Sequence, residues 1–329
     1  MFETEKIFSI TSEIQFELLA LEIFRFQAEH TAIYRKYLEL LKCNPGRITS
    51  TSQIPFLPVE FYKSHEISSE NQESRSKMKT FSSSGTTGQE VSKHFVSDIS
   101  VYEKSFRKGF ELFYGSVRDY CIIALLPSYL EREGSALVYM MDALSKDSQN
   151  SQSGFYLHNQ QELFETLAEL KNQKQKTLLL GVTYALIDFV ENHPINFPDL
   201  IVMETGGMKG KRGEMIRADV HDKLCNGFGI SSVHSEYGMT ELLSQAYSSG
   251  YGIFHTPPWM KIVIHQQHDL FSEAGEGQTG VISVIDLANI YSCSFITTQD
   301  VGRKHADGSF EVLGRTDFSD VRGCNLLIG

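Results

Sequence analysis

Hydroxyl and glycine residues are concentrated in one stretch of this 329-residue chain, FSSSGTTGQE at residues 81–90. The hydroxyls belong to Ser82, Ser83, Ser84, Thr86 and Thr87, and the glycines are Gly85 and Gly88. Glycine lets the backbone turn and approach a ligand closely, and successive exposed N–H groups form a concavity that suits phosphate oxygens. The Gly-Lys-Ser/Thr ending of a Walker loop is missing. The composition leaves two interpretations, a phosphate-binding loop and a solvated Ser/Gly linker.

A second group of residues, TGG at 205–207, directly follows a short apolar segment. Glycine has no side chain, so Gly206 and Gly207 could let a flat ring lie against the backbone. A tight turn between a strand and a helix uses the same residue types. Both interpretations place this stretch at the end of a strand.

A third group, SEYGMTE at 235–241, collects an aromatic ring, a glycine, a hydroxyl and two carboxylates within seven residues. Its candidate binding residues are Tyr237, Gly238, Thr240 and Glu241. A carboxylate beside a phosphate loop can hold Mg²⁺, which prefers one or two carboxylates together with substrate oxygens. The alternative is the N-terminus of a helix, with Thr240 as its cap and Glu241 in its first turn.

The last polar stretch begins with TQDVGR at 298–303, which contains Asp300. A predicted hairpin turn at 306–308 follows, and Arg315 and Asp317 come shortly after it. Two further histidines, His265 and His268, have the spacing of a metal pair, but they lack acidic or cysteine companions and are better interpreted as surface histidines.

The elements around these stretches indicate where they lie in the fold. Short apolar segments predict strands at 120–126, 177–181, 200–203 and 231–235, and helices are predicted at 135–144, 160–171, 184–191 and 212–225. Strands that alternate with helices favour an α/β layered sheet, in which the loops at strand ends bind ligands. Further strands are predicted at 261–265, 281–286, 295–297 and 310–313.

Three regions follow from this pattern. Residues 1–50 form an N-terminal helical segment, which opens with a capping box at 12–15 and carries apolar residues at helical spacing as far as a stop at 44–46. The pattern predicts an α/β core at residues 51–258 and a β-rich subdomain at residues 259–329. The aromatic stripe of the first helix could also pack against a second subunit, so a homo-oligomer is possible.

Composition excludes several classes of protein. A net charge of −11 argues against a surface that binds nucleic acid, and no apolar run is long enough to span a bilayer. The N-terminus has no secretory signal pattern. Five scattered cysteines, at 43, 121, 225, 293 and 324, contain no CxxC pair, which makes a disulfide framework or a zinc ribbon improbable. We therefore expect a protein of the reducing cytoplasm.

The order of the motifs SSSGTTG, TGG, SEYGMTE and TTQDVGR…DGSFEVLGRTD…RG resembles the adenylate-forming superfamily of acyl-CoA synthetases and firefly-luciferase-like enzymes. The segment IPFLPVEFYKSHEI and the ending VRGCN look most like the LuxE-type acyl-protein synthetases, relatives of the phenylacetate–CoA ligases. The resemblance covers residues 54 to 323. It implies the α/β large N-terminal domain of such an enzyme, with layered sheets and a β-rich C-terminal part but without the small C-terminal lid domain. Residues 51–258 would then bind the nucleotide and the acyl group, and residues 259–329 would end at the hinge.

The resemblance also implies an activity: ATP and Mg²⁺ activate a carboxylic acid, with a fatty acid as the first choice, and the acyl group of the acyl-adenylate passes to a thiol. That thiol belongs to a protein cysteine, a carrier protein or coenzyme A. The alternatives are a phenylacetate-type acyl- or aryl-CoA ligase and a non-catalytic nucleotide-binding protein. Neither nucleic acid nor a membrane is an expected partner.

Residue roles follow from the resemblance position by position. The loop from Ser82 to Gly88 would hold the ATP phosphates, Gly206 and Gly207 would border the adenine, and Tyr237, followed by Gly238, would stack near it. Thr240 would contact the α-phosphate and Glu241 would hold Mg²⁺. Asp300 would accept both ribose hydroxyls, Arg315 would lie near the ribose and phosphate, and Asp317 would mark the hinge.

Two departures from the family pattern concern catalysis. The family loop commonly continues with Pro-Lys, whereas Gln89 and Glu90 follow here and the nearest lysine is Lys93. The chain also lacks the region in which larger relatives carry a lysine that assists adenylation. Cys324, near Arg322, has two interpretations: the cysteine that accepts the acyl group in LuxE-type enzymes, and an ordinary buried cysteine.

Overall fold

The computed structural model describes residues 2–69, 78–83, 91–127, 134–206 and 216–315 of the chain. Its helices are α1 (Glu13–His30), α2 (Ala32–Leu40), α3 (Phe61–Ser64), α4 (Ile99–Tyr114), α5 (Ala136–Ser148), α6 (Gln160–Gln173), α7 (Thr183–Asn192) and α8 (Arg217–Phe228). Its strands are β1 (Leu57–Pro58), β2 (Lys79–Ser82), β3 (Lys93–Val96), β4 (Cys121–Leu125), β5 (Gly154–Phe155), β6 (Thr177–Val182), β7 (Ile201–Thr205), β8 (His234–Tyr237), β9 (Ala246–Ser248), β10 (Ile253–Phe254), β11 (Met260–Gln266), β12 (Asp269–Glu273), β13 (Thr279–Asp286), β14 (Phe295–Lys304) and β15 (Phe310–Arg315).

A six-stranded sheet occupies the middle of the chain, in the order β5-β4-β6-β7-β8-β9. The first five strands are parallel, and β9 pairs antiparallel with β8. All five residues of β4 are buried, which confirms the prediction of a strand covered on both faces. The ends of β7 and β8 carry two of the predicted site regions, TGG and SEYGMTE, to one edge of this sheet, because parallel strands end on the same side.

Side chains on the two faces of this sheet belong to two different hydrophobic cores. Ile122, Leu180 and Met203 contribute to the core that α4 and α5 cover, while their neighbours in sequence contribute to a core that α6, α7 and α8 cover. The alternation follows from the twofold period of a strand. Helices on both faces of a mostly parallel sheet define an α/β layered fold, as the sequence predicted.

A seven-stranded sheet is formed mainly by the C-terminal part, in the order β10-β15-β14-β13-β11-β12, with β1 parallel to β14. The predicted β-rich C-terminal part is therefore confirmed. Its longest strand was underestimated, because β14 runs from Phe295 to Lys304 whereas the sequence predicted residues 295–297. The polar stretch TQDVGR therefore lies within β14 and pairs with β13 and β15.

The N-terminal segment forms two helices rather than one, because the chain leaves helical geometry at Thr31. The Thr31 hydroxyl donates to the carbonyl of Ser292 at 3.1 Å. At the start of α1, Ser12 caps the helix by accepting a hydrogen bond from the N–H of Gln15. The Gln15 side chain accepts from the N–H of Thr11, so the predicted capping box closes one residue earlier than expected.

Four further observations concern the described part of the chain. None of its helices is long and apolar enough to cross a membrane. Within the same ranges, no three His, Cys, Asp or Glu side chains are grouped as a metal site, and Cys43, Cys121, Cys225 and Cys293 are free thiols. The interpretation of His265 as a surface histidine is wrong: it is 4% exposed, and its Nδ1 lies 2.7 Å from the Ser283 hydroxyl. His268 is exposed.

Candidate active site

The Ser/Gly stretch connects the two strands of an antiparallel hairpin, β2 and β3. Its ends are fixed by hydrogen bonds: the N–H of Ser82 donates to the carbonyl of Gly134 at 2.7 Å, and the N–H of Ser92 donates to the Ser83 hydroxyl at 3.0 Å. The N–H of Ser83 also donates to the carbonyl of Ser92 at 3.0 Å. Ser84, Gly85, Thr86, Thr87 and Gly88 lie outside the described residues. The described ends show a loop held at both ends, which an unanchored linker would not require.

Asp300 is the residue at which two of the predicted motifs meet. The Tyr237 hydroxyl donates to Oδ2 of Asp300 at 2.9 Å, and Nε of Arg315 donates to Oδ1 at 2.9 Å. Asp300 and Arg315 are directly opposite each other on β14 and β15, so the sheet register brings the pair together. Asp300 is 6% exposed. Its carboxylate is therefore held in one orientation by two donors.

Tyr237 ends β8 with its ring packed edge-on against Phe254 and Phe310, at centroid distances of 6.0 and 5.5 Å. Burial and then the neighbouring Asp300 carboxylate raise the pKa of this phenol well above its usual value. The hydroxyl thus stays protonated and acts as a donor to Asp300. Stacking of Tyr237 near an adenine remains a prediction.

Thr240 and Glu241 lie in a turn that precedes no helix, so the interpretation of Thr240 as a helix cap is wrong. The carbonyl of Thr240 accepts a hydrogen bond from Nδ1 of His94 at 2.8 Å, and the carbonyl of Glu241 accepts one from Nδ2 of Asn289 at 2.7 Å. His94 lies on β3, so the Thr240 turn and the Ser/Gly hairpin are attached to each other.

The Glu241 side chain is buried next to residues from two other parts of the site. Burial raises the pKa of its carboxyl, while the Ser92 hydroxyl and the positive charge of Arg315 act in the opposite direction. Ser92 belongs to the hairpin loop and Arg315 to the Asp300 pair. The hairpin loop and the Asp300 pair therefore both influence the charge of the Glu241 carboxyl.

Asp286 anchors the segment that follows Glu241. Its Oδ2 accepts hydrogen bonds from the N–H groups of Leu243 and Ser244 at 2.7 and 3.0 Å, and its Oδ1 accepts from the Ser244 hydroxyl at 2.5 Å. Burial raises the pKa of this carboxyl to about 6, although the hydrogen bonds act to lower it. Because β13 carries Asp286, the turn at 240–241 is attached to the seven-stranded sheet.

Sequence reasoning gave no role to Glu236, although it noted two carboxylates in SEYGMTE. The structure buries this carboxyl at the end of β8, where Oε2 accepts a hydrogen bond from the Thr205 hydroxyl at 2.7 Å. Burial raises the pKa of Glu236 to about 7. The sequence did contain one indication of a separate environment for Glu236. It immediately precedes Tyr237 on a strand, and neighbouring residues of a strand face opposite sides of a sheet.

Gly206 and Gly238 are at the strand ends that the sequence predicted. Gly206 follows β7 with a φ of +81°, a conformation that glycine adopts without strain. A Cβ at Gly238 would lie 2.5 Å from Oε1 of Glu236, so this glycine leaves room for the carboxyl. Gly207, Asp317 and Cys324 lie outside the described residues, and their roles stay predictions.

Comparison with known proteins agrees with this arrangement. The family model for the acyl-protein synthetase LuxE matches residues 9–329. The long-chain-fatty-acid–luciferin-component ligase of Aliivibrio fischeri is 23% identical over 307 residues, which cover 86% of this chain and 78% of that protein.

Solved structures show the same fold at low sequence identity. A 2-hydroxyisobutyryl-CoA ligase, in complex with 2-HIB-AMP and CoA, is similar with a TM-score of 0.68 and 13% identity, over 93% of this chain and 70% of that one. ATP-bound MatB from Rhodopseudomonas palustris is similar with a TM-score of 0.54 and 16% identity, over 72% of this chain. The match spans about half of the MatB chain, 47%.

The family match extends over nearly the whole chain, and the folds of both solved structures agree with the layered sheets seen here. The chain therefore belongs to the LuxE acyl-protein synthetase family, whose adenylate-forming ligases activate a carboxylic acid with ATP and transfer the acyl group to a thiol.

Proposed function

We propose that this chain activates a carboxylic acid with an apolar acyl chain and passes the acyl group to a protein thiol. In the first step a carboxylate oxygen attacks the α-phosphorus of ATP, and the bond to pyrophosphate breaks. In the second step a thiolate attacks the acyl carbon, and AMP leaves. The step at phosphorus builds negative charge, which hydrogen-bond donors and a cation stabilise.

One observation carries this proposal: hydrogen bonds join the separate motifs, because Tyr237 and Arg315 both donate to Asp300 and His94 of the Ser/Gly hairpin donates to the carbonyl of Thr240. A nucleotide needs a ribose site, a phosphate site and a cation site within the length of one molecule. Three separate motifs that converge in this way would be unexpected for a linker, a turn and a helix cap.

The ribose of ATP would bind at Asp300. A carboxylate accepts a hydrogen bond at each oxygen and has further lone pairs available beside those that Tyr237 and Arg315 occupy. Two ribose hydroxyls would donate to this one carboxylate. The phosphates would extend toward Thr240 and the loop from Ser82 to Gly88, with Gly206 and Gly207 beside the adenine.

Mg²⁺ fits at Glu241. The ion needs one or two carboxylates and completes its coordination with phosphate oxygens and water, and Glu241 supplies one buried carboxylate beside the Ser92 hydroxyl. Burial opposes the ionised form of this side chain, and a cation would favour it. When bound, Mg²⁺ would supply charge stabilisation at the phosphates; the chain's own contribution is to orient Glu241 through Asn289 and Asp286.

An apolar acid is supported by a cavity under the face of the six-stranded sheet that α4 and α5 cover. It is lined by Phe110, Ile122, Met140, Met141, Leu144, Leu178, Leu180, Met203 and Tyr247. Its volume of about 10 Å³ admits about one water molecule. Three of the lining side chains are methionines, which are flexible enough to give way to an acyl chain. The name of the Aliivibrio fischeri relative points to a long-chain fatty acid.

The proposed acceptor is a thiol. Family membership favours a protein cysteine, with Cys324 as one candidate and a carrier protein as another. The 2-hydroxyisobutyryl-CoA ligase contains CoA, so a CoA thioester is the alternative product. Acylated protein as the stable product would support the proposed acceptor, and a free CoA thioester would replace it with the ligase alternative.

The experiment is acid-dependent exchange of pyrophosphate into ATP, with straight-chain fatty acids of increasing length and with aromatic acids. We expect exchange with fatty acids for the wild type and a loss of about 100-fold in Glu241→Gln, on the scale of one removed electrostatic contact. Glu276→Gln, which changes an exposed carboxylate in a turn of the other sheet, should match the wild type.

The adenylation proposal fails if no acid supports exchange while ATP still binds to the wild-type chain. In that case a non-catalytic nucleotide-binding role would account for the site. Exchange with aromatic acids alone would keep adenylation and overturn the fatty acid.

A further inference from the structure

The Glu236 carboxyl lies at the edge of the site, on the face of the six-stranded sheet that contains the apolar cavity. Its strand neighbours on this face are Thr205 of β7, which donates to Oε2 at 2.7 Å, and Tyr247 of β9, which is its cross-strand partner. Met203, two residues before Thr205, lines the cavity, and so does Tyr247. The carboxyl therefore sits between the predicted nucleotide site and the predicted acyl site.

The second oxygen of this carboxyl points toward the loop that carries Thr240 and Glu241. A Cβ added to Gly238 would lie 2.5 Å from Oε1, so Oε1 lies against the backbone of the loop. Among the residues that the structure describes, none makes a hydrogen bond to Oε1. The side chain is 9% exposed. One oxygen is thus fixed by Thr205, and the other is available to a ligand.

The surroundings favour the neutral form of this carboxyl far more than water does. Burial raises its pKa to about 7, and the Thr205 hydrogen bond acts in the opposite direction. The titratable groups that face it in the described structure are Tyr102 and Tyr114 of α4 and Tyr247 of β9, whose pKa values are raised, so they carry no charge near pH 7. His234, on the same strand, lies 3.2 Å from the Tyr114 hydroxyl, and burial lowers its pKa toward the neutral form.

A proton on this carboxyl would occupy Oε1. The Thr205 hydroxyl already donates its hydrogen to Oε2. A proton on Oε2 would lie close to that hydroxyl hydrogen unless Thr205 turned away. Oε1–H would then point to the loop at Gly238. A neutral carboxyl that donates a hydrogen bond is a known means of binding an anion in an apolar site, and such O–H···O⁻ bonds are short and strong.

We propose that Glu236 binds the carboxylate of the acid substrate, with Oε1–H as the donor, while the acyl chain extends along the same sheet face into the cavity. This inference rests on the proposed adenylation function. A neutral donor suits this position because it offsets the desolvation of the entering carboxylate without placing a cation on the oxygen that attacks phosphorus. An ionised Glu236 would repel the substrate, since two carboxylates cannot share a buried site.

The test is the pH dependence of the KM for the acid, measured by pyrophosphate exchange between pH 6 and pH 8. Only protein with protonated Glu236 would bind the acid, so the apparent KM rises as the protonated fraction falls. With a pKa of about 7, the wild-type KM should be roughly tenfold higher at pH 8 than at pH 6. A fatty acid stays ionised throughout this range, so its own charge does not change.

The variant Glu236→Gln distinguishes binding of the substrate carboxylate from a purely structural role of Glu236. The amide can accept from Thr205 and donate toward Gly238, but it does not titrate, so the KM for the acid should become independent of pH between 6 and 8. Glu204→Gln is the matched control, because Glu204 is a buried carboxylate on β7 that faces the opposite core and accepts from Thr183 at 2.7 Å. This control should keep the wild-type pH profile.

Three outcomes are distinguishable. A wild type without acid-dependent exchange overturns the proposed function itself. A wild type with exchange and a Glu236→Gln variant that keeps the same pH dependence overturns only the role of Glu236. If folded Glu236→Ala has an unchanged KM for the acid at pH 6, the carboxyl does not contact the substrate. Calorimetric titration with the acid measures the affinity of the same variant without the exchange reaction.

Discussion

At the scale of single residues, the Asp300 carboxylate is oriented by a separate donor on each of its oxygens. Tyr237 comes from the six-stranded sheet and Arg315 from the seven-stranded sheet, so the carboxylate lies where the two sheets meet. Preorganised acceptors lose little conformational entropy when a ligand binds. This geometry explains why a carboxylate at this position could bind two hydroxyls of one ribose.

We expect Asp300→Asn to weaken ATP binding by about 10- to 100-fold. An amide offers one acceptor where the carboxylate offers two, and hydrogen bonds to charged groups contribute about 1.5–3 kcal/mol each, with 1.4 kcal/mol per factor of ten. Calorimetric titration with ATP measures the change. Asp222→Asn, an exposed carboxylate on α8, is the control. An Asp300→Asn variant with wild-type affinity would remove Asp300 from the nucleotide site.

The sequence predicted Tyr237, Asp300 and Arg315 as site residues because each belongs to a motif with a recognisable order. It could not assign a role to Glu236, because that role depends on burial and on the Thr205 hydroxyl, which lies 31 residues away in the chain. Burial and long-range hydrogen bonds are properties of the tertiary structure. A local pattern of residue types contains neither.

At the scale of elements, the turn at 240–241 shows how tertiary contacts override a local signal. Thr followed by Glu is typical of a helix start. Here the N–H groups of Leu243 and Ser244 donate to Asp286 on β13, so they are not available to a helix. The same contacts hold the Glu241 carboxyl in position, because they fix the backbone on its C-terminal side.

We expect Asp286→Asn to lower the free energy of unfolding by about 2–4 kcal/mol, because a buried amide leaves one or two of the four donors around this side chain without an acceptor. Denaturation with urea, followed by circular dichroism, measures the loss. Asp307→Asn is the control, since Asp307 also accepts from an N–H and a hydroxyl, both of Ser309, but lies exposed in a turn. Equal losses in the two variants would contradict the anchoring role of Asp286.

At the scale of the whole molecule, the sequence predicted the α/β class and the β-rich C-terminal part from the alternation of apolar segments. The boundary at residue 50 remains a prediction, and the contacts across it are extensive. Residues of α1 such as Ile23 and Phe24 belong to the same core as Val284 and Phe295 of the seven-stranded sheet. Such pairings join segments far apart in the chain, and no periodicity within a segment specifies its partner.

Gln27 is one residue through which the N-terminal helix contacts the rest of the molecule. It joins α1 to the segment that supports the active site. It is fully buried, and its Nε2 donates to the carbonyls of Asn289 and Ile290 and to the Ser294 hydroxyl at 2.9–3.0 Å. Its Oε1 accepts from the N–H of Ser294 at 3.0 Å. Asn289 in turn donates to the carbonyl of Glu241. A continuous chain of hydrogen bonds therefore links the N-terminal helix to the proposed Mg²⁺ ligand.

We expect Gln27→Met to lower the free energy of unfolding by about 2–4 kcal/mol. The substitution keeps the length of the side chain and removes its polar atoms, so the acceptors and the donor around it lose their partner in a buried site. The unfolding transition should remain single, since one core spans the N-terminal helices and both sheets. Gln161→Met, on the exposed face of α6, controls for the loss of a surface amide. Two separate transitions, of which only one shifts in Gln27→Met, would mean that residues 1–50 fold independently of the site. A single shifted transition would show that the N-terminal segment and the site are stabilised together.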